Sequence, residues 1–308
     1  QLEMLKTLPG LENVHVIKPA YAVEYDYVPA VQTLHSLMSK NVQGLFFGGQ
    51  INGTSGYEEA AAQGLVAGIN AVNYINQKEP MILSRESSYI GTLIDDLVTK
   101  DIDEPYRMLT SRSEYRLLLR QDNADERLTE IGYNQGLVDD SRYQRYLQKA
   151  KTIDEEIERF RQTKISASQE NNDILAKVGE HINEGIRLHE LIKRPNISYD
   201  LIKELDETTK NLDYPFEIGE QVEVRIKYDG YIKRQQEQVA LSSKADRIKI
   251  PSDIDYSKIQ HISTETKEKL NKIKPATLGQ ASRIGGVKPA DIAVLSVLIE
   301  SKSYRNVD

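Results

Sequence analysis

Cysteine and tryptophan are missing from all 308 residues, and phenylalanine occurs only four times. Without cysteine, disulfides, thiolate metal sites and thiol nucleophiles are excluded from this stretch. The five histidines (15, 35, 181, 189 and 261) are scattered. Only His181 and His189 are near each other, and they lack the i, i+4 spacing of a zinc pair on one helical face, so no metal is expected. No apolar run reaches the roughly 18 residues of a membrane span, and no signal peptide opens the chain. A soluble, cytoplasmic protein is the expectation. A Ser/His/Asp arrangement, a P-loop and a carboxylate pair are also missing, so no catalytic residue is nominated.

Tyrosine, by contrast, is abundant at 17 copies, many beside Arg or Lys. Its apolar ring and polar tip suit wet interfaces as well as core edges. Forty basic and 47 acidic residues leave a net charge of −7, which argues against wholesale nucleic-acid coating but leaves room for a local basic face. The length suits about two domains. Gln1 stands where a start Met would, and an amphipathic fragment follows it, so the chain is expected to be a piece of a longer polypeptide.

Residues 1–78 have an α/β texture. The apolar runs at 14–17 and 45–47 suit strands, and a glycine-rich turn and an Ala-rich helix over 57–74 follow. Two strands and one helix cannot cover both faces of a sheet, so this segment is expected to be the C-terminal remnant of a larger domain. From about 82 the texture becomes helical. Ser111 and Glu114 match a capping box, and Asp122 and Asn123 can cap a helix that Gly132 or Gly136 stops. Asp139, Asp140 and Ser141 open a helix over 141–162, with Tyr146, Ile153, Ile157 and Phe160 in one stripe. The stretch 166–172 reads as a loop, and helices are expected at 172–179, 184–193 and 198–208. Residues 222–226 alternate like a strand, yet Val222, Ile226, Tyr231 and Arg234 also fit helical spacing. Charged residues at 244–249 and Pro251 mark a linker. Short helices at 256–262, 263–273 and 275–284 precede Pro289, which suits the first turn of an apolar helix over 290–301. The expected fold is mainly α, with domains at 1–78, 79–250 and 251–308.

Four constellations could carry function. In Gly48-Gly49-Gln50-Ile51-Asn52-Gly53-Thr54-Ser55-Gly56, glycines after an apolar run let backbone amides approach a ligand, and the helix N-terminus behind favours an anion. The spacing is not G-x-G-x-x-G, and a tight connection is the competing reading. Second, Arg112, Arg116 and Arg120 would share one face of a helix, with Arg107, Tyr106 and Tyr115 nearby, as if to meet phosphates and bases. A solvated face paired with Glu104, Glu114, Asp122 and Asp125 is the alternative. Third, 227–234 interleaves basic residues with tyrosines, suiting a nucleic-acid backbone or a packing face. Fourth, Leu278, Ile284, Val287, Ile292, Leu295 and Leu298 are more apolar surface than a bundle of about 50 residues buries, which suits a partner or simply a core.

The stretch GGQINGTSGYEEAAAQGLVAGINA, with SYIGTLIDDLV, EPYRMLTSRSEYRLLLRQDNADERLTEIG, VRIKYDGYIKRQ and LGQASRIGGVKPADIAVL, resembles the bacterial family of tRNA uridine 5-carboxymethylaminomethyl modification enzymes, MnmG or GidA. The likeness covers essentially the whole chain as the second half of a family member; the loop at 100–103 departs from the family's usual Gly-containing turn. The resemblance implies a flavoprotein of glutathione-reductase type whose G-x-G-x-x-G, functional cysteines and NADH-associated insertion lie in the other half. It implies that residues 1–78 close an FAD-binding domain, that Gln50 contacts FAD and that Gly49, Asn52 and Thr54 assist. It implies tRNA binding by the helical domain, with Arg107 and Arg116 foremost, then Arg112 and Arg120. Docking of the GTPase partner MnmE falls to the C-terminal unit, at Leu278, Ile284, Ile292 and Leu295. It also implies a helix over 217–236, and a dimeric parent that forms a heterotetramer with the GTPase. The parent reaction would be flavin chemistry at C5 of the wobble uridine, with methylene-tetrahydrofolate, glycine or ammonium, and NADH as reductant. This chain alone would not be catalytic and would hold FAD weakly or not at all. A helical protein-interaction module without enzymatic activity is the alternative.

Overall fold

The computed structural model describes residues 1–22, 24–100, 102 and 104–301. Asp101 and Asp103 of the departing loop, and residues 302–308 of the expected C-terminal unit, lie outside the described residues.

The chain is mainly α. Its first segment carries α1 (Leu2–Lys6), the short 3₁₀ turn Gly49–Asn52 and α2 (Tyr57–Ile75), and α3 (Tyr89–Thr99) follows. The middle holds α4 (Ala124–Asn134), α5 (Asp140–Gln162), α6 (Gln169–Ala176), α7 (Leu188–Leu191), α8 (Tyr199–Leu205), α9 (Glu207–Asn211) and α10 (Phe216–Arg247). The last unit is α11 (Thr264–Ile273), α12 (Leu278–Arg283) and α13 (Pro289–Glu300). Two strands of two residues each, β1 (Lys164–Ile165) and β2 (Ile186–Arg187), pair antiparallel and are the only named strands among the described residues. No helix there is long and apolar enough to cross a membrane.

Several boundaries follow from capping chemistry. Asp139 accepts the Arg142 amide and opens α5 where the acidic cluster indicates. Gly136, at φ +74°, gives the left-handed residue that ends the turn after α4, and the Leu137 amide reaches back to the Gly132 carbonyl. Asn123 sits at the cap position of α4 but does not cap it. Its side chain instead donates to the Leu118 carbonyl and accepts from Arg127.

Other expectations are corrected. The strands at 14–17 and 45–47 do not form: Phe46 makes one isolated bridge with Met38, and Ile17 is 95% exposed. A strand needs a continuous neighbour for its backbone groups; 45–47 meets only the short stretch 37–39, through the Ser39 and Phe47 amides, which is a single bridge and not a ladder. The capping box at 111–114 is also not formed. Residues Thr110–Arg112 make a single 3₁₀ turn, 113–120 continue as turns, and the Glu114 carboxylate is taken by Arg85. A complete capping box appears instead at Thr277 and Gln280. The helix expected at 184–193 is β2 followed by one helical turn, and α6 begins inside the expected loop, capped by Ser168. The expected linker at 244–251 is tied down: α10 runs to Arg247, Ile250 is buried, and the Ile250 and Leu278 amides bond the Ala276 and Ile248 carbonyls.

Residues 222–226 are helical, as the family resemblance implies, and lie within α10. This helix is about 48 Å long at 1.5 Å per residue. Its first part buries Ile218, Val222 and Ile226 in a core with Ile153 and Phe160 of α5, Leu188, Leu191 and Ile202. Gly219 is required there, because a Cβ would stand 2.4 Å from the Tyr199 ring. A second core gathers Tyr256, Ile259, Leu270, Leu278 and Leu295, and it includes Val31 from the first segment. Lys40 donates to the Ile273 carbonyl at 2.8 Å, so the last unit is seated on the first.

Candidate functional site

The glycine turn is built around one buried side chain, Gln63 of α2. Its Oε1 accepts the Gly49 amide (3.2 Å) and Asn52 Nδ2 (3.0 Å), and its Nε2 donates to Thr54 Oγ1 (2.8 Å). Gly49 and Gly53 take φ of +80° and +85°, a region that favours glycine. Asn52 and Thr54 are thus committed to shaping the turn, whereas Gln50 is exposed at its edge. Gln50 and Thr54 line a cavity of about 220 Å³ with Tyr25, Tyr27 and Pro105.

The structure brings the arginine segment onto this turn. The Tyr106 amide bonds the Gly53 carbonyl at 2.8 Å, forming a parallel bridge with Thr54. Glu59, in the first turn of α2, accepts Arg107 Nε (3.1 Å) and the Met108 amide (2.8 Å) through one oxygen. Burial opposes its ionisation, but these donors outweigh it and hold its carboxyl below the ordinary range. Gly56 is compelled, since a Cβ would collide with Glu59 Oε2. That oxygen and Asn52 Oδ1 are buried with no hydrogen-bond partner among the described residues.

Arg112, Arg116 and Arg120 do not form a helical face, because 113–120 is not helical. Arg107 is 60% exposed at the edge of the turn. Arg112 lies over the Tyr106 ring at 4.5 Å. Arg116 is exposed and has no ion-pair partner among the described residues. Arg120 pairs with Asp122 at 3.1 Å. Gln235 of α10 steadies the segment by bonding the Leu118 amide and the Glu114 carbonyl. In the last unit, Leu278, Ile284 and Leu295 are interior and Ile292 is partly buried against them. The apolar count there is therefore absorbed by the core, and these side chains can serve docking only by shaping the surface. Val297, 65% exposed, is the apolar side chain that α13 leaves outside.

Sequence reasoning missed a buried charge network beneath the site. Arg85 Nη1 reaches Asp95 (3.0 Å) and Asp96 (2.6 Å), while its Nε and Nη2 grip Glu114 at 2.8 Å each. Tyr106 Oη donates to Asp96 at 2.8 Å. Asp95 also accepts from Arg283 of α12, which in turn reaches Asp246 at the end of α10, and it contacts His35 at 3.0 Å. Burial would raise the Asp95 pKa, but His35 and Arg283 hold its carboxyl far below the usual range. The signal was present: two adjacent acids inside the apolar run GTLIDDLV must find cations if the helix is buried. Among the described residues, no group of His, Asp and Glu could hold a metal ion.

Comparisons with known proteins relate the chain to one family. Residues 1–79 match the family model "Glucose inhibited division protein A". Residues 140–236 match the "tRNA modifying enzyme MnmG/GidA C-terminal helical domain", and 238–307 the corresponding "C-terminal helical bundle". The tRNA uridine 5-carboxymethylaminomethyl modification enzyme MnmG of Caldicellulosiruptor saccharolyticus is 52% identical over 301 residues, which are 97% of this chain and 48% of that protein. Its namesake in Listeria innocua is 52% identical over 308 residues, 100% of this chain and 49% of that one. The structure of Aquifex aeolicus GidA in its form II crystal superposes with a TM-score of 0.78 at 42% identity, covering 97% of this chain and 47% of that one. The chain spans about half the length of the curated relatives it matches.

Proposed function

The chain belongs to the MnmG/GidA family, and from that premise we propose that it forms one wall of a flavin pocket, a tRNA-binding face and a docking unit for a GTPase partner. The parent enzyme would install the 5-carboxymethylaminomethyl group on the wobble uridine of tRNA. One observation carries this reading: the glycine turn and the arginine segment, some 50 residues apart in sequence, meet at Gly53–Tyr106 and Glu59–Arg107. A site that oxidises or reduces a base must hold the flavin and the nucleotide together, and this junction offers both a ligand turn and a cation.

The residues present fit the ring end of FAD. The cavity beside Gln50 is walled by Tyr25, Tyr27 and Pro105, suiting a flat apolar face, with Ser55, Thr54 and Glu104 as polar neighbours. Gln50, with the backbone from Gly49 to Thr54, would hold that end; Gln63 keeps the turn in shape. When bound, the flavin would supply the redox chemistry. Its pyrophosphate calls for a G-x-G-x-x-G wall that this sequence does not carry, so the chain alone is proposed to hold FAD weakly and to be inactive by itself. Arg107, kept beside the turn by Glu59, and the unpaired Arg116 would meet RNA phosphates. The last unit, α11 to α13, would dock the GTPase through its outer surface, where Val297 lies.

Crosslinking locates the nucleotide. A tRNA transcript carrying 4-thiouridine at the wobble position, irradiated with the chain and digested, is expected to yield adducts in peptides covering 25–56 or 104–116. Adducts confined to other peptides would remove the proposed junction of flavin turn and arginines.

A further inference from the structure

The last unit is pinned to the rest of the chain by one side chain. Arg283 of α12 is 21% exposed and divides its fork between two other elements. Its Nε and one Nη meet the two Asp95 oxygens of α3 at 2.8 and 3.0 Å. Both Nη groups meet Asp246, at the end of α10, at 3.1 and 3.0 Å. A planar guanidinium can serve two carboxylates in this way, whereas an ammonium cannot. Gly279 of α12 is compelled by the same close approach, because a Cβ there would collide with the Asp246 carboxylate. Lys40 adds a second contact, donating to the Ile273 carbonyl at the end of α11 and to the Val31 carbonyl.

Asp95 is where this seat meets the candidate site. It is 5% exposed and also contacts Arg85 and His35 at 3.0 Å each. Arg85 is shared. The Nη1 that reaches Asp95 also meets Asp96 at 2.6 Å, while Nε and Nη2 hold Glu114 and Nη2 bonds the Arg112 carbonyl. Asp95 and Asp96 are thus neighbours on α3 that compete for one guanidinium. With Arg283 in place, Asp95 has a bidentate partner of its own, and Arg85 is left for Asp96 and Glu114. Withdrawal of Arg283 leaves a buried carboxylate short of charge, and the arginine already touching it is Arg85. Arg85 can turn further toward Asp95 only by releasing part of its hold on Glu114, which is 44% exposed and can turn to water.

We propose that Arg283 couples the seating of α11 to α13 to the order of the 104–116 segment, with Arg85 as the element that has two positions. Arg85 holds Asp96 and Glu114 when the unit is seated, and is drawn to Asp95 when the unit lifts. A ligand that keeps the unit off its seat would therefore loosen the segment that carries Arg107, Arg112 and Arg116. By reciprocity, whatever fixes that segment strengthens the seat. The device lies within this chain and does not depend on what binds either surface.

Hydrogen exchange of the whole chain, read by mass spectrometry of its peptides, follows both ends at once. Arg283→Met is expected to speed exchange about tenfold at the amides of 106–113, which include those of Tyr106, bonded to Gly53, and Arg112, bonded to Leu109. Peptides of 264–284 should also exchange faster, and those around Phe160 should not change. The decisive variant is Arg283→Met/Asp95→Asn. Removing the carboxylate that draws Arg85 away should restore protection at 106–113 toward the wild-type level, although the unit remains unpinned and 264–284 stays fast. Two destabilising changes without this competition would instead add. Exchange at 106–113 that is unchanged in Arg283→Met overturns the coupling, and so does a double variant that exchanges there as fast as the single one or faster.

Discussion

Arg85→Met is expected to destabilise the chain by about 3 kcal/mol, read as a shift of the urea midpoint. The side chain is 8% exposed, and its fork joins Asp95, Asp96 and Glu114 in one grip. Breaking a buried pair by removing one partner costs about 3–5 kcal/mol, because the remaining charge is stranded. The lower end applies here for a specific reason. Asp96 keeps Lys100 (2.8 Å) and Tyr106 Oη, Asp95 keeps Arg283 and His35, and Glu114, 44% exposed, can turn to water. Arg85→Lys should recover little of the loss, since a point charge cannot bridge three carboxylates. The consequence for function is larger than the energy. Arg85 also bonds the Arg112 carbonyl, and Tyr106, anchored by Asp96, carries both the bridge to Thr54 and the Arg112 stack. Loss of Arg85 should therefore loosen the 104–116 segment from the glycine turn. A midpoint shift under 1 kcal/mol would mean that the network is not the support described.

Phe160→Ala is expected to cost about 3–5 kcal/mol, the range for emptying a large aromatic site in a core. Phe160 is fully buried and stacks on Tyr199 at 5.6 Å, while Tyr199 bonds Glu156, which Arg159 grips. The ring thus supports an apolar core and a buried polar cluster at once. Thermal melting by circular dichroism should show the loss, and Phe160→Leu should cost much less because it retains most of the volume.

Much of the helical architecture was legible because local chemistry declares it. The acidic cap and 3.6-residue stripe of α5 are local signals, as are Gly136 after α4 and Pro289 opening α13. Residues 222–226 were ambiguous by periodicity, since Val222 and Ile226 satisfy both templates; what decides is packing against Phe160 and Tyr199, a contact that spacing does not contain. The errors have the same origin. Residues 111–120 have a helical pattern of arginines and a capping box, but Glu114 is worth more to Arg85 than to a helix N-terminus, and the segment folds as turns. The runs at 14–17 and 45–47 are strand-like only if something pairs with them. In the site, the glycines were visible, whereas the commitment of Asn52 and Thr54 to Gln63 was not, because a buried glutamine on a small-residue helix looks like a surface residue. Leu278, Ile284 and Leu295 illustrate the converse: an apolar count does not say which side chains remain outside.

The measurement that bears most directly on the central claim is the affinity of the chain for a tRNA transcript across a salt series, repeated with Arg107→Ala and Arg116→Ala. If these arginines meet phosphates beside the flavin turn, binding should weaken steeply with salt, and each substitution should lower the slope by roughly one. Slopes and affinities identical to wild type in both variants would contradict the account and leave the exposed arginines as surface charges.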